Sequence, residues 1–156
     1  MSYIGFKFAD PKTIHTRAKA SMAASFNINI PPYAPNHKVT SRYKFRQDSE
    51  IVSLMPHMHL RGKSFKYEAV FPDGTREVLL DVPRYDFNWQ LRYEYDTPKK
   101  MPKGTEIQCT AYFDNSADNL ANPDPSKTVR WGDQTWEEMM IGWFTMTVPK
   151  DSPSKH

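Results

Sequence analysis

Short segments rich in β-branched and aromatic residues alternate with turn residues along most of the chain. Its 13 prolines and 6 glycines fall about every eight to twelve residues, a spacing typical of many short strands rather than long helices. The pattern predicts eight strands: Phe26–Ile30, Val39–Phe45, Ile51–Leu60, Phe65–Phe71, Arg76–Val82, Trp89–Tyr95, Glu106–Phe113 and Met139–Val148.

Alternation within these segments assigns their side chains to faces, because side chains in a strand repeat with period two. In Glu106–Phe113 the apolar phase contains Ile107 and Cys109, so we expect Cys109 to point into the core. Eight strands with one apolar face each favour two packed antiparallel sheets. The expected fold is therefore an all-β, eight-stranded jelly-roll β-sandwich, with a closed barrel as the alternative. Pro72–Thr75 predicts a hairpin turn between two of the strands.

A length of 156 residues suits one domain. Residues 1–22 lack the alternation, and we interpret them as a linker and the remnant strand Phe6–Phe8 of a preceding domain. Residues 23–150 are the expected domain, and residues 151–156 a polar tail. Residues 115–127 contain turn residues throughout, which predicts a long loop, and loops of this length are often functional.

Composition excludes several classes of function. The net charge of +3 comes from Lys and Arg scattered among Asp and Glu, so no basic face for nucleic acid is expected. No apolar run approaches the ~18–20 residues of a membrane span. A single cysteine excludes an intrachain disulfide and a thiolate-rich metal site. The 5 histidines and 8 methionines leave an imidazole or thioether site as the remaining metal option.

The candidate chemistry begins at His57 and His59. On a strand these two side chains project from the same face, where two imidazoles can converge on one ion. Pro56 cannot donate to a sheet ladder, which indicates an edge or a bulge at this point. The opposite face already contains the apolar residues Val52, Leu54, Pro56, Met58 and Leu60.

A His-x-His pair on a strand is more often two ordinary surface residues than a metal site, so the prediction of a metal site depends on a third ligand. A cupin-like glutamate is absent, because Lys63 and Ser64 stand at its place, and no zincin or nucleophile-elbow motif supports a hydrolase. In the last strand Met140 shares the apolar phase, which leaves Met139 outside the core. Plain packing would also explain Met139, but two imidazoles and a thioether form a soft set that favours copper, especially Cu(I).

Three segments together resemble a known family: HMHLRGK, GTEIQC and WEEMMIGWF, in this order. They are similar to the C-terminal domain of copper type II, ascorbate-dependent monooxygenases, in a bacterial-type variant, over roughly residues 25–148. The resemblance implies a jelly roll that binds one copper ion through His57, His59 and Met139. It further implies hydroxylation of a C–H bond at this copper with ascorbate as electron donor, in the periplasm or outside the cell, and no catalytic residues beyond the ligands.

The chain also departs from the family. Met140 stands where the animal enzymes have the second cysteine of a pair, so Cys109 is left unpaired. Met55, Ile141 and Trp143 stand where the peptide hydroxylase anchors a substrate carboxylate. Because apolar side chains cannot make charge-assisted bonds to a carboxylate, a peptidyl-glycine substrate is not expected, and the small-molecule or peptide substrate stays open.

The family uses a second copper, bound by three histidines in an N-terminal domain. This chain has no place for that domain, which is therefore an expected partner, and we expect the isolated chain to be inactive. An alternative is a non-catalytic copper-binding or interaction module attached to redox partners, and a third is a metal-free structural sandwich. His15, His37 and His156 are interpreted as linker, turn and terminal surface residues.

Overall fold

The computed structural model describes residues 1–150, so the expected polar tail 151–156 lies outside the described residues. Over this part of the chain the only helical element is a 3₁₀ turn at Pro11–Thr13. The strands are β1 (Thr16–Ser25), β2 (Asn29–Ile30), β3 (His37–Lys44), β4 (Ser49–His57), β5 (Gly62–Val70), β6 (Arg76–Val82), β7 (Tyr93–Met101), β8 (Glu106–Phe113), β9 (Val129–Arg130) and β10 (Met140–Pro149).

Eight of these strands form two four-stranded sheets, in the orders β1-β10-β4-β7 and β3-β8-β5-β6, and β2 and β9 form a separate ribbon. The chain forms one long antiparallel hairpin, in which the paired strands are β1 with β10, β3 with β8, β4 with β7, and β5 with β6. Pairing of β10 with β4 and of β8 with β5 rolls this hairpin into two layers. The chain is an antiparallel jelly-roll β-sandwich, as the sequence predicted, and not a closed barrel.

The core lies between the two sheets and follows the predicted alternation. Ile107, Cys109, Ala111 and Phe113 of β8 are all fully buried. The sheets are closely packed at Gly142 of β10, where an added Cβ would lie 2.7 Å from Cys109 Sγ. Burial raises the pKa of the Cys109 thiol, against the hydrogen bond with Ser41. Cys109 is thus a buried free thiol.

The predicted turn joins β5 and β6. Gly74 has φ +86° and donates its N–H to Phe71 O at 2.9 Å. A positive φ is accessible to glycine without steric cost, so the turn predicted at Pro72–Thr75 forms where the sequence places Gly74.

The prediction for residues 1–22 is wrong in its secondary structure. Thr16–Ser25 is a complete edge strand that pairs with β10 over ten residues, whereas Phe6–Phe8 has no strand structure and both phenylalanines are exposed. The sequence shows no alternation of apolar and polar residues here, because Arg17 and Lys19 stand at positions that share a face of the strand with the buried Ala23. Backbone pairing with β10, rather than an apolar face, stabilises this strand.

Two further strands differ from the prediction. Only Asn29–Ile30 of the expected strand Phe26–Ile30 is paired. The strand expected at Trp89–Tyr95 begins later, at Tyr93, and continues to Met101 through Pro98. Because β7 is an edge strand whose register shifts beside Ile51, an exposed proline is accommodated there.

Residues 114–128 form the expected long loop. Asn115 is fully buried and anchors it, since its side-chain Nδ2 donates to Pro31 O at 2.8 Å and to Lys127 O at 2.9 Å. Within residues 1–150, the structure contains no helix of the length and hydropathy needed to cross a bilayer.

Candidate metal centre

The His57 and His59 side chains lie together, although the strand predicted at Ile51–Leu60 ends at His57 and His59 lies two residues beyond it. Their ring centroids are 5.2 Å apart and the ring planes are nearly perpendicular, at 84°. His57 is half-buried and His59 is 4% exposed. Pairing of β4 with β7 ends at Leu54, so the stretch containing Pro56 is paired on one side only. The locally open edge that Pro56 indicated is present.

Each imidazole is held through its Nδ1 atom. His57 Nδ1 lies 2.6 Å from Gln90 Oε1, and the Gln90 amide is oriented by donation from its Nε2 to Phe87 O at 2.9 Å. His59 Nδ1 lies 3.2 Å from the carbonyl oxygen of Glu137. Because both partners are acceptors, each Nδ1 carries the proton and each Nε2 keeps its lone pair.

The Nε2 atoms are the available ligands. Among residues 1–150, neither Nε2 has a hydrogen-bond partner on the protein. Burial lowers the pKa of His57, and repulsion from His59 acts in the same direction, against the hydrogen bond that His57 Nδ1 donates to Gln90. A lowered pKa favours the neutral imidazole, which is the form that binds a metal.

Glu138 fixes the backbone around His59. Its fully buried carboxylate accepts the N–H of His59 at 2.8 Å and the N–H of Arg61 at 2.7 Å. Burial raises the pKa of Glu138 to about 7, while these N–H groups and the charge of Arg61 oppose the rise. The carboxylate thereby ties the turn after β4 to the segment that leads into β10.

Arg61 extends this network towards the long loop. Its side chain is 2% exposed, and it donates from Nε to Asn115 Oδ1 and from Nη1 to Trp136 O, each at 2.9 Å. Sequence reasoning did not single out Arg61, Asn115 or Glu138. The available signal was two opposite charges inside the segments HMHLRGK and WEEMMIGWF, but their contact depends on a fold that brings residues 77 positions apart together.

The two adjacent methionines have different environments. Met140 is fully buried in the core and Met139 is half-buried, which confirms the predicted phase of Met140. In the observed register Ile141 lies opposite His57. The β4–β10 pairing ends at this point, because β4 ends at His57 and β10 begins at Met140, one residue after Met139. Met139 thus directly precedes the end of β10 that pairs with His57, and its role as the third ligand stays a prediction.

An apolar wall adjoins the pair on the outer face of the sheet. Trp143 of β10 lies opposite Met55 of β4 and opposite Met22 of β1. The pair Ile141 and His57 is two residues further along the same strands. Because cross-strand partners share a face, Met55, Ile141 and Trp143 lie on the histidine side of the sheet. The Phe87 ring is 6.0 Å from the His59 ring. Met55, Ile141 and Trp143 therefore offer no cation to a substrate carboxylate.

The other histidines lie away from this arrangement. His15 precedes β1, His37 begins β3 in the other sheet, and His156 lies outside the described residues. In residues 1–150, no group of three or more His, Cys, Asp and Glu side chains is arranged to hold a metal ion. A site of two imidazoles and a thioether has a different composition from such a group.

Neither a protein-family model nor a curated protein matches the sequence. Among solved structures, the chain is similar to the infectious bursal disease virus Gx strain structure, with 11% identity and a TM-score of 0.38 over 96% of this chain and 39% of that one. A VP2 subviral particle of the same virus shows 13% identity and a TM-score of 0.35 over 94% of this chain and 37% of that one. The chain spans about two fifths of the length of these structures. Neither likeness bears on its function.

Proposed function

We propose that the protein is a copper-binding domain whose ligands are His57 Nε2, His59 Nε2 and the Met139 thioether. The observation that carries the proposal is the pair of perpendicular imidazoles, each with its Nδ1 held by an acceptor and its Nε2 without a protein partner. Hydrogen bonding at the non-ligating nitrogen is the usual support of a metal-bound histidine.

The donor set fits Cu(I) better than the other common metals. Two neutral imidazoles and a thioether carry no charge, and the adjoining residues Trp143, Met55 and Ile141 are apolar. Hard cations such as Mg²⁺ and Ca²⁺ prefer carboxylate and carbonyl oxygens, whereas thioethers select Cu(I). Met139 is half-buried and His59 is 4% exposed, so water has limited access to these two proposed ligands.

We further propose that this copper is the substrate-side centre of a two-copper, ascorbate-dependent monooxygenase. Copper, when bound, supplies the reaction with dioxygen that hydroxylates a C–H bond. The chain's own residues hold the metal, orient both imidazoles and present the apolar wall to the substrate. The second copper, its three histidines and the electron from ascorbate come from a separate domain, in a periplasmic or extracellular setting.

Titration of the full chain with Cu(I) under anaerobic conditions, in competition with a chromophoric chelator, tests the metal site. One Cu(I) should bind per chain, and the variant His57→Ala/His59→Ala should lose it. The matched control His15→Ala/His37→Ala removes two imidazoles elsewhere and should bind as the original protein does. Unchanged copper stoichiometry in the first variant would contradict the proposed site.

The role in catalysis needs a separate test. The chain alone, with copper, ascorbate and dioxygen, should hydroxylate no more substrate than free copper does. Joining it to a domain with a three-histidine copper site should restore coupled hydroxylation. Copper binding without any activity in the joined protein would favour the non-catalytic copper-binding module.

A further inference from the structure

A cleft of about 750 Å³ opens between the edge strands β1 and β3. Its lining includes Lys19 of β1, Tyr43 of β3, and Met146 and Val148 of β10. It lies at the far end of the sheet from the histidine pair, because His57 shares a row with Ala24 whereas Val148 shares one with Arg17. The copper proposal therefore does not involve this cleft.

The cleft exists because β1 does not continue the core here. Ser41 Oγ donates to Ala23 O at 3.0 Å and closes the two sheets at one end. Further along, Arg17 lies opposite Val148 and Lys19 opposite Met146, in the phase that Ala23 uses to face the core. Charged side chains cannot cover an apolar interior without a large desolvation cost, and the cleft lies beside Met146 and Val148, which are 4% and 7% exposed.

Positive charge gathers on both sides of this opening. Lys19 lies on one side, and Lys44 and Arg46 lie on the other, and all three are exposed. Arg42, also in the lining, faces Glu106 at 3.8 Å. Among the residues that the structure describes, no carboxylate lies within salt-bridge distance of Lys19, Lys44 or Arg46. The cleft thus combines an apolar floor with a cationic rim.

We propose that the cleft binds a single-chain amphipathic anion, with its hydrocarbon chain on Tyr43, Met146 and Val148 and its carboxylate or phosphate head at Lys19 and Arg46. The volume falls within the range of small-molecule sites, about 300–1,000 Å³. Charge complementarity selects an anionic head, and the apolar floor selects an alkyl chain. Lys19 of the rim is the cross-strand partner of Met146 of the floor, so one short molecule engages both.

Protection of the edge is the competing explanation of these cations. An inward-pointing charge on an edge strand also prevents pairing with another chain. That role requires a charge on the edge strand alone. Here cations of β1, of β3 and of the segment after β3 line one cleft together with apolar side chains, which is the arrangement of a ligand site.

Isothermal titration of the full chain with four 12-carbon probes, each below its micelle concentration, tests the inference. Laurate and dodecyl phosphate should each bind at one site, and dodecyltrimethylammonium and dodecanol should bind at least about tenfold more weakly, because charge-assisted bonds form only with the anions. Binding of dodecyl phosphate alone would assign the head group to phosphate. Equal binding of the cationic and anionic probes, or no binding of either anion, would overturn the proposal.

Charge-reversal variants locate the site. Lys19→Glu/Arg46→Glu should weaken laurate binding at least about tenfold, whereas the matched control Lys12→Glu/Lys38→Glu, with the same change in net charge outside the cleft, should change it less than about twofold. Ser21→Phe, which fills the cleft, should block binding while circular dichroism and the melting temperature show a folded chain. Equal losses in the two charge variants would overturn the proposal. Self-association of Lys19→Glu/Arg46→Glu with unchanged binding would do the same and assign the cations to edge protection.

Discussion

The carboxylate of Glu138 accepts the backbone N–H of His59 at 2.8 Å, although the two residues are 79 positions apart in the chain. The same carboxylate accepts the N–H of Arg61, so a single buried side chain defines the backbone path of the histidine turn. Its position one residue before Met139 links that turn to the third proposed ligand. Site geometry and folding stability are therefore coupled at Glu138.

Replacing Glu138 by Ala should lower both the folding stability and the affinity for Cu(I). The variant leaves two buried N–H groups without an acceptor, and we expect the free energy of unfolding to fall by about 2–4 kcal/mol, measured by urea denaturation. Cu(I) affinity should fall as well, because His59 loses its support. Glu137→Ala is the control, since among residues 1–150 the Glu137 carboxylate accepts a hydrogen bond only from the N–H of the exposed Gln134, and it should cost less than about 1 kcal/mol. Equal losses in the two variants would contradict the role of Glu138.

The Gln90 side chain should affect the affinity for Cu(I) and not the folding stability. Gln90→Ala releases His57 Nδ1, and the loss of such a supporting hydrogen bond typically costs 10- to 100-fold in metal affinity. Stability should change by less than about 0.5 kcal/mol, because Gln90 lies in a surface loop. Gln108→Ala, on the other sheet, is the control in the same chelator competition. An unchanged Cu(I) affinity in Gln90→Ala would show that the His57 ring needs no support from this side chain.

The close approach at Gly142 gives a test of core packing. A Cβ at this position would lie 2.7 Å from Cys109 Sγ and 2.9 Å from Tyr67 Cε1, so Gly142→Ala should cost about 1–3 kcal/mol through overpacking. Cys109→Ala removes the sulfur and should recover part of that loss in the double variant. Strict additivity of the two substitutions in urea denaturation would contradict this contact.

The buried Cys109 thiol should make stability depend on alkaline pH. Its pKa is raised in the folded state by burial, whereas an unfolded thiol ionises near about pH 8.5. The stabilisation from keeping the thiol protonated is fully present below that pH and declines above it, by about 1.4 kcal/mol at pH 9.5. Tyr67, whose pKa burial also raises, acts in the same direction at higher pH. Cys109→Ala should remove the thiol's part of the decline between pH 7 and 9.5, and an identical decline in both proteins would refute this explanation.

How far the sequence predicted the structure depended on whether the signal was local. Period-two alternation in Glu106–Phe113 and the Pro-Asp-Gly turn are local patterns, and both were correct. Strand β1 was missed because Arg17 and Lys19 occupy core-facing positions beside an open cleft, where the alternation disappears. β7 was displaced because Pro98 reads as a strand breaker, although an exposed edge tolerates it.

The candidate site divides in the same way. His57 and His59 are two residues apart, so strand geometry predicted that their side chains lie close together, as they do, although β4 ends at His57. The support of the site could not be predicted, because Gln90, Glu138 and Asn115 reach it through contacts between distant segments. No periodic pattern marks a buried carboxylate that accepts backbone N–H groups, and only the folded register brings β10 beside β4.

X-ray absorption of the Cu(I)-loaded chain tests the central claim most directly, because it reports the atoms bound to copper. The account predicts imidazole nitrogens and one sulfur, with the sulfur contribution lost in Met139→Ala and retained in Met140→Ala. Met140→Ala should instead cost about 2–5 kcal/mol of stability, since Met140 is fully buried and leaves a cavity. A sulfur contribution that persists in Met139→Ala and vanishes in Met140→Ala, or a Cu(I) spectrum without sulfur in the original protein, would contradict the proposed centre.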